Sequence, residues 1–185
     1  MLTVSAENEL SAFRGSSYRY IDVVIRNTQI PSTQIPATIV TTKVTTKTIT
    51  HSAEETIAFG RKLAAELSPP LIVLLRGDLG AGKTTLVKGI AEGFGAARAD
   101  DVTSPTFTLI HEYRGPQTTL YHIDLYRIDT QRELDTLALD DLIAPNCILL
   151  IEWGEKFPRL QRDQNLQIIL VRIAETERSI EVRTY

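Results

Sequence analysis

Gly77-Asp78-Leu79-Gly80-Ala81-Gly82-Lys83-Thr84 fits the pattern G-x-x-x-x-G-K-[ST], a phosphate-binding loop or Walker A motif. The spacing has a chemical reason. The glycines let the backbone turn tightly and bring several N–H groups to one anion. Lys83 supplies a point charge for β- and γ-phosphates, and the Thr84 hydroxyl is a ligand for Mg²⁺. Upstream, Leu71-Ile72-Val73-Leu74-Leu75 is an unbroken apolar run, the pattern of a strand buried on both faces. Downstream, residues 84–94 carry Leu86, Ile90 and Phe94 at helical spacing. The N-terminus of that helix would aim its partial positive charge at the phosphates. A glycine-rich turn with no ligand would not call for a lysine followed by Thr84 and Thr85. The strand–loop–helix context therefore reads as nucleotide binding.

The chain has 185 residues, 43% hydrophobic and 23% charged, with a net charge of -3. That length suits one domain with a real core. The charge excludes a global basic field, which argues against a free-standing nucleic-acid binder. The single cysteine, Cys147, lies in an apolar run and reads as a small core residue. No stretch approaches a membrane span and no basic N-terminus precedes an apolar run, so a cytoplasmic setting is expected.

Outward from the loop, the expected organisation is residues 1–44 as an N-terminal extension and 45–185 as a P-loop ATPase domain. The extension is dense in threonine, lacks helical periodicity and is expected to be poorly ordered, apart from a possible short strand at 18–25. Residues 47–50 read as a first strand. Ser52 and Glu55 form a plausible capping box for a helix reaching about Leu67, before Pro69 and Pro70. Strand patterns at 107–113 and 119–126 flank a turn at 114–117 and predict a hairpin. On the second strand His122 and Asp124 share one face, with Tyr121, Ile123 and Leu125 on the other. Residues 133–143 predict a helix. Residues 147–151 predict a buried strand ending at Glu152-Trp153, and 165–173 with 179–184 predict a terminal strand pair. The fold class is α/β: a P-loop NTPase-type three-layer fold with a mostly parallel central sheet and added antiparallel strands.

In such a sheet ligands sit at the carboxyl ends of the parallel strands. Glu152 ends an apolar strand where a Walker B acid belongs, and would hold Mg²⁺ directly or through water. The bland alternative is a surface glutamate. Asp124, between Ile123 and Leu125, is costly to bury unless it is paired. It would orient the attacking water or stand in the metal's outer shell, the alternative being a salt bridge with Arg127. Thr103, Ser104 and Thr106 lie where NTPases often keep a nucleotide-sensing switch. Trp153, beside Glu152, is placed near the nucleotide. His122 reads as structural, and Lys88 and Lys156 as solvated side chains.

Four ordered blocks carry a further signal: 77–85, then Ser104-Pro105-Thr106-Phe107-Thr108-Leu109, then His122-Ile123-Asp124-Leu125-Tyr126-Arg127, then Ile151-Glu152-Trp153. Together they resemble the signature of the TsaE (YjeE) family over about residues 49–182. The resemblance implies a small bacterial ATPase needed to make threonylcarbamoyladenosine at position 37 of tRNAs that read ANN codons. It implies action with TsaB and TsaD, while TsaC makes threonylcarbamoyl-adenylate. Contact with tRNA would be indirect, through the complex. Lys83, Thr84, Asp124, Glu152 and Trp153 match the family's functional positions, and the regions 54–56 and 177–178 match the nucleotide's edge. The extension before about Val44 departs from the family.

These readings assign Lys83, Asp124 and Glu152 to catalysis. They assign Asp78, Leu79, Gly80, Ala81, Gly82, Lys83, Thr84, Thr85, Asp124 and Trp153 to ATP, and Thr84 with Glu152 to Mg²⁺. Two other functions share the loop. A small-molecule or nucleoside kinase would want an arginine-rich lid, and no Arg cluster follows the last core strand. A non-hydrolysing nucleotide switch would not need Asp124 or Glu152 for turnover.

Overall fold

The computed structural model describes residues 45–161 and 166–184. The extension expected at 1–44 lies outside the described residues. Seven strands form one sheet in the order β1-β7-β6-β2-β5-β4-β3. They are β1 (Thr45–Thr50), β2 (Leu71–Arg76), β3 (Ile110–Arg114), β4 (Thr119–Asp124), β5 (Cys147–Glu152), β6 (Leu166–Arg172) and β7 (Arg178–Thr184). The four central strands run parallel: β6 with β2, β2 with β5, and β5 with β4. The remaining pairs, β1–β7, β6–β7 and β3–β4, are antiparallel. The predicted hairpin and terminal pair are both present.

Helices α1 (Ala53–Ala64) and α2 (Lys83–Gly93) cover one face. There Val73, Leu75, Ile148 and Leu150 meet Leu63, Leu86 and Ile90. The two helices approach closely: a methyl group at Gly89 would lie 2.0 Å from the Ile57 carbonyl oxygen. The opposite face buries Leu74, Ile123, Leu149 and Ile151 against Leu134, Leu139, Phe157 and Leu160. These come from the short helix α3 (Gln131–Thr136), from three-residue-per-turn segments at Leu139–Leu142 and Pro158–Leu160, and from Phe157 just before the latter. The result is three layers, as expected for this α/β class.

Local differences from the expected elements have physical causes. Ser52 caps α1 by accepting from the Glu55 N–H at 3.1 Å, but the Glu55 carboxylate accepts from the His51 N–H, not from that of Ser52. The helix expected at 133–143 breaks at Ala138, which takes a left-handed conformation (φ 47). Leu134 and Leu139 are both buried. Five residues of unbroken α-helix would rotate them about 140° apart, so the break lets both face the core. The strand expected from 107 begins at Ile110. Phe107 stays exposed, and Leu109 (φ 67) turns the chain into β3 while its N–H donates to Pro105 O.

Candidate nucleotide site

The register of the sheet builds the site. Leu75 pairs with Glu152 and Asp124 also pairs with Glu152, so β2, β5 and β4 end level with one another. The phosphate loop leaves β2 at that edge. Gly77 has φ 146, and a methyl group there would lie 2.4 Å from the Leu170 carbonyl oxygen. Only glycine fits both the angle and the space. Asp78, Leu79 and Gly80 form the exposed tip, Ala81 is buried, Gly82 caps α2 in a left-handed conformation, and Thr85 is half-buried in the first turn.

Four polar side chains are sealed beneath the loop. Lys83, Asp124 and Glu152 are 5%, 3% and 4% exposed, and His122 is 0% exposed. Buried charge is costly unless paired and hydrogen-bonded, and here each charge has partners. The Lys83 ammonium donates to Gly77 O at 2.7 Å and Asp78 O at 3.1 Å, lies 3.7 Å from Glu152 Oε2, and sits 4.5 Å from the centre of the Trp153 ring. Glu152 Oε1 accepts from the Thr84 hydroxyl at 3.0 Å and from His122 Nε2–H at 2.9 Å. The Thr84 proton thus points at Glu152, and its oxygen keeps lone pairs for a cation. His122, to which the sequence assigns no chemistry, holds the acid through this contact, while its Nδ1 is buried without a partner among the described residues.

Asp124 forms a second, adjoining network. Its Oδ1 accepts from the Tyr126 N–H at 2.9 Å. Its Oδ2 accepts from the Thr106 hydroxyl at 2.7 Å and the Ser104 hydroxyl at 3.3 Å. The 103–106 loop is therefore tied to the acid through Ser104 and Thr106. Asp124 makes no salt bridge with Arg127, whose guanidinium lies 4.3 Å from the centre of the Phe107 ring. Trp153 takes a left-handed conformation (φ 63) at the end of β5 and packs its ring 5.2 Å from that of Tyr126. A bulky residue held at positive φ marks a place where the surroundings override local preference.

At the outer edge, Arg178 lies 3.6 Å from where a methyl group on Gly82 would sit, and His51 Nδ1 meets Glu177 Oε1 at 2.8 Å. The Glu177 hydrogen bond holds the His51 pKa above its ordinary value, and the nearby Glu55 carboxylate adds to the effect. On the β6 side of the loop a cavity of about 400 Å³ opens between Arg76, Asp78, Leu79, Trp153, Glu155 and Val171. It flanks the Thr84–Glu152–Asp124 cluster without being lined by it.

The donor set bears on which ions fit. Among the described residues no group of three or more His, Cys, Asp or Glu side chains could hold a metal. What the site offers is one hydroxyl and one carboxylate beside the Gly77–Thr84 loop. That suits Mg²⁺, which keeps several waters and takes few protein ligands beside phosphate oxygens. It does not suit a caged transition metal.

The model of the family described as "Threonylcarbamoyl adenosine biosynthesis protein TsaE" matches residues 50–180. The chain is 41% identical over 131 residues to a Bacillus subtilis protein named tRNA threonylcarbamoyladenosine biosynthesis protein TsaE, covering 71% of this chain and 80% of that one. A Treponema pallidum protein of the same name is 34% identical over 136 residues, 74% of this chain and 98% of its own. Among solved structures, Bacillus subtilis YdiB superposes with a TM-score of 0.62 at 35% identity, covering 77% of this chain and 87% of that one. The matched span contains every site residue described above, and the chain belongs to the TsaE family.

Proposed function

We propose that this chain binds and hydrolyses Mg-ATP as an accessory protein for threonylcarbamoyladenosine modification of tRNA position 37, acting with TsaB and TsaD homologues in the cytoplasm. The observation that carries the proposal is the sealed contact of Lys83, Thr84, His122 and Glu152 beneath the phosphate loop, with Asp124 beside it. The domain that does this work is 45–185, with 1–44 as an extension to it. The names of the relatives supply the pathway and favour this reading over a kinase. Among the described residues no helix is long and apolar enough to cross a membrane.

The contacts support a role for each residue. Backbone N–H groups of 78–85 would take the phosphates, and Lys83 would exchange its two carbonyl acceptors for phosphate oxygens. Thr84 and Glu152, directly or through water, would hold Mg²⁺, whose charge would offset that of the phosphates. His122 keeps Glu152 turned toward Thr84. Asp124 presents Oδ2 to orient a water, and that oxygen is shared with Ser104 and Thr106. Movement of their loop would therefore change the acid's availability.

The test is ATP hydrolysis and tRNA modification by the full chain, with and without TsaB, TsaD and TsaC homologues. Slow turnover alone that rises with TsaB and TsaD supports the accessory role. Rapid hydrolysis indifferent to both would overturn it in favour of an independent enzyme.

A further inference from the structure

Lys156 looks from the sequence like a solvated cation, and the structure gives it other work. It lies in the turn Gly154–Lys156 that follows β5 and Trp153. Its ammonium reaches back to the segment that follows β4. There it donates to Leu125 O at 3.3 Å and Tyr126 O at 3.0 Å, and pairs with Asp129 Oδ1 at 2.8 Å. A lysine has three N–H donors and no acceptor, so these contacts use all of them. The Lys156 side chain is 28% exposed and that of Asp129 is 80% exposed. An ion pair so open to water contributes little. The Tyr126 carbonyl matters more: the β4 ladder ends at Asp124, and whereas the Leu125 carbonyl also accepts from the Ile128 N–H at 3.1 Å, the Tyr126 carbonyl relies on Lys156.

The consequence reaches the site. The residue whose carbonyl Lys156 holds, Tyr126, donates its own N–H to Asp124 Oδ1 at 2.9 Å. The same segment is tied to β5 by the Leu125 N–H on Glu152 O at 3.0 Å, and by the Tyr126 ring on Trp153. Lys156 thus braces the turn after one acid from the turn after the other. We propose that Lys156 is a positioning residue for Asp124: it fixes the 124–126 turn, so that Tyr126 N–H occupies Oδ1 and leaves Oδ2 toward Ser104 and Thr106. This rests on the ATPase reading for its kinetic consequence, but not for its structural one.

The experiment uses the full chain with its TsaB and TsaD partners and three variants. Lys156→Met keeps the aliphatic stem and removes the donors, Lys156→Arg keeps donors, and Asp129→Asn removes only the exposed pair. Lys156→Met should lower kcat about 10-fold with KM within about twofold, the pattern of a misplaced catalytic group. Lys156→Arg should recover most of the loss, and Asp129→Asn should stay within about twofold of wild type. Combined with Asp124→Asn, Lys156→Met should cost nothing further, because both act on one group. Multiplying losses would overturn the proposal, as would unchanged kcat in Lys156→Met. A second readout needs no turnover: hydrogen exchange at the Tyr126 amide should speed up about 10-fold in Lys156→Met but not in Asp129→Asn. Unchanged exchange would overturn the positioning role by itself. Absent hydrolysis in the wild type, with exchange behaving as expected, would instead indict the ATPase reading alone.

Discussion

The carboxyl ends of β2, β5 and β4 and the outer strands β7 and β1 belong to one sheet, yet they handle charge in opposite ways. At the centre, Lys83, Glu152 and Asp124 are buried, and each is matched to specific donors or acceptors. Toward the outside, His51–Glu177 and Arg183–Glu181 are exposed or half-exposed pairs. The centre is parallel, so three strand ends converge where one loop meets them. The outside is antiparallel, and its ends alternate. Buried charge without partners would cost several kcal/mol per ion. A sequence keeps such charge only where every partner is in place, and that concentrates chemistry at the centre. The outer pairs are screened by water and can only adjust the edge.

Removing a central cation should have the largest effect. Lys83→Ala takes away the ammonium that would contact the phosphates. It leaves Glu152 with Thr84 and His122 as donors, so the fold should survive. ATP hydrolysis should fall by at least about 10²–10³-fold, the scale for losing a preorganised electrostatic contact. Weak ADP binding by the loop backbone should persist. Turnover near that of wild type would end the phosphate-loop reading and with it the contrast between centre and edge.

Asp124→Asn asks whether the centre needs charge or only shape. The substitution keeps the size and an acceptor for Tyr126 N–H. If the carboxylate orients water, turnover should drop by about 10²-fold while ATP affinity changes little. Parallel loss of binding and turnover, measured by calorimetry beside steady-state kinetics, would mean that the residue only holds the 103–106 loop.

The two regions were not equally legible in the sequence. The centre announced itself: the Gly77–Thr84 spacing, the apolar run into it and the acid at the end of β5 each have a chemical reason that needs no neighbour. His122 was placed on the face of Asp124 by simple alternation. Its contact with Glu152 depends on the register of β4 against β5, where His122 pairs with Leu150. Nothing local encodes that register. The acceptors of Lys156 are hidden for the same reason, since they lie roughly thirty residues upstream. The break at Ala138 is not legible because helical spacing cannot show that Leu134 and Leu139 must face the same way. At the edge, only the family resemblance singles out 177–178, and the pairing of Glu177 with His51 is visible only once β1 lies beside β7.

The smallest effect belongs to that edge. His51 sits between β1 and α1, and its Nδ1 meets the Glu177 carboxylate at 2.8 Å. The hydrogen bond to Glu177 is the main cause of its raised pKa. A histidine whose pKa is higher folded than unfolded binds its proton more tightly in the folded state. The stabilisation is then fully present below the unfolded value, about 6.5, and is lost as pH rises through the raised folded value. Both side chains face water, so the contribution should be small. Thermal unfolding of wild type and Glu177→Gln should therefore differ at pH 5.5, by about a degree at most, and converge by pH 8.5. Added salt should shrink the difference at the lower pH. A gap that stayed the same at both pH values would assign Glu177 a packing role instead. A gap of many degrees would break the contrast from the other side, because the edge would then carry charge energetics like those of the centre.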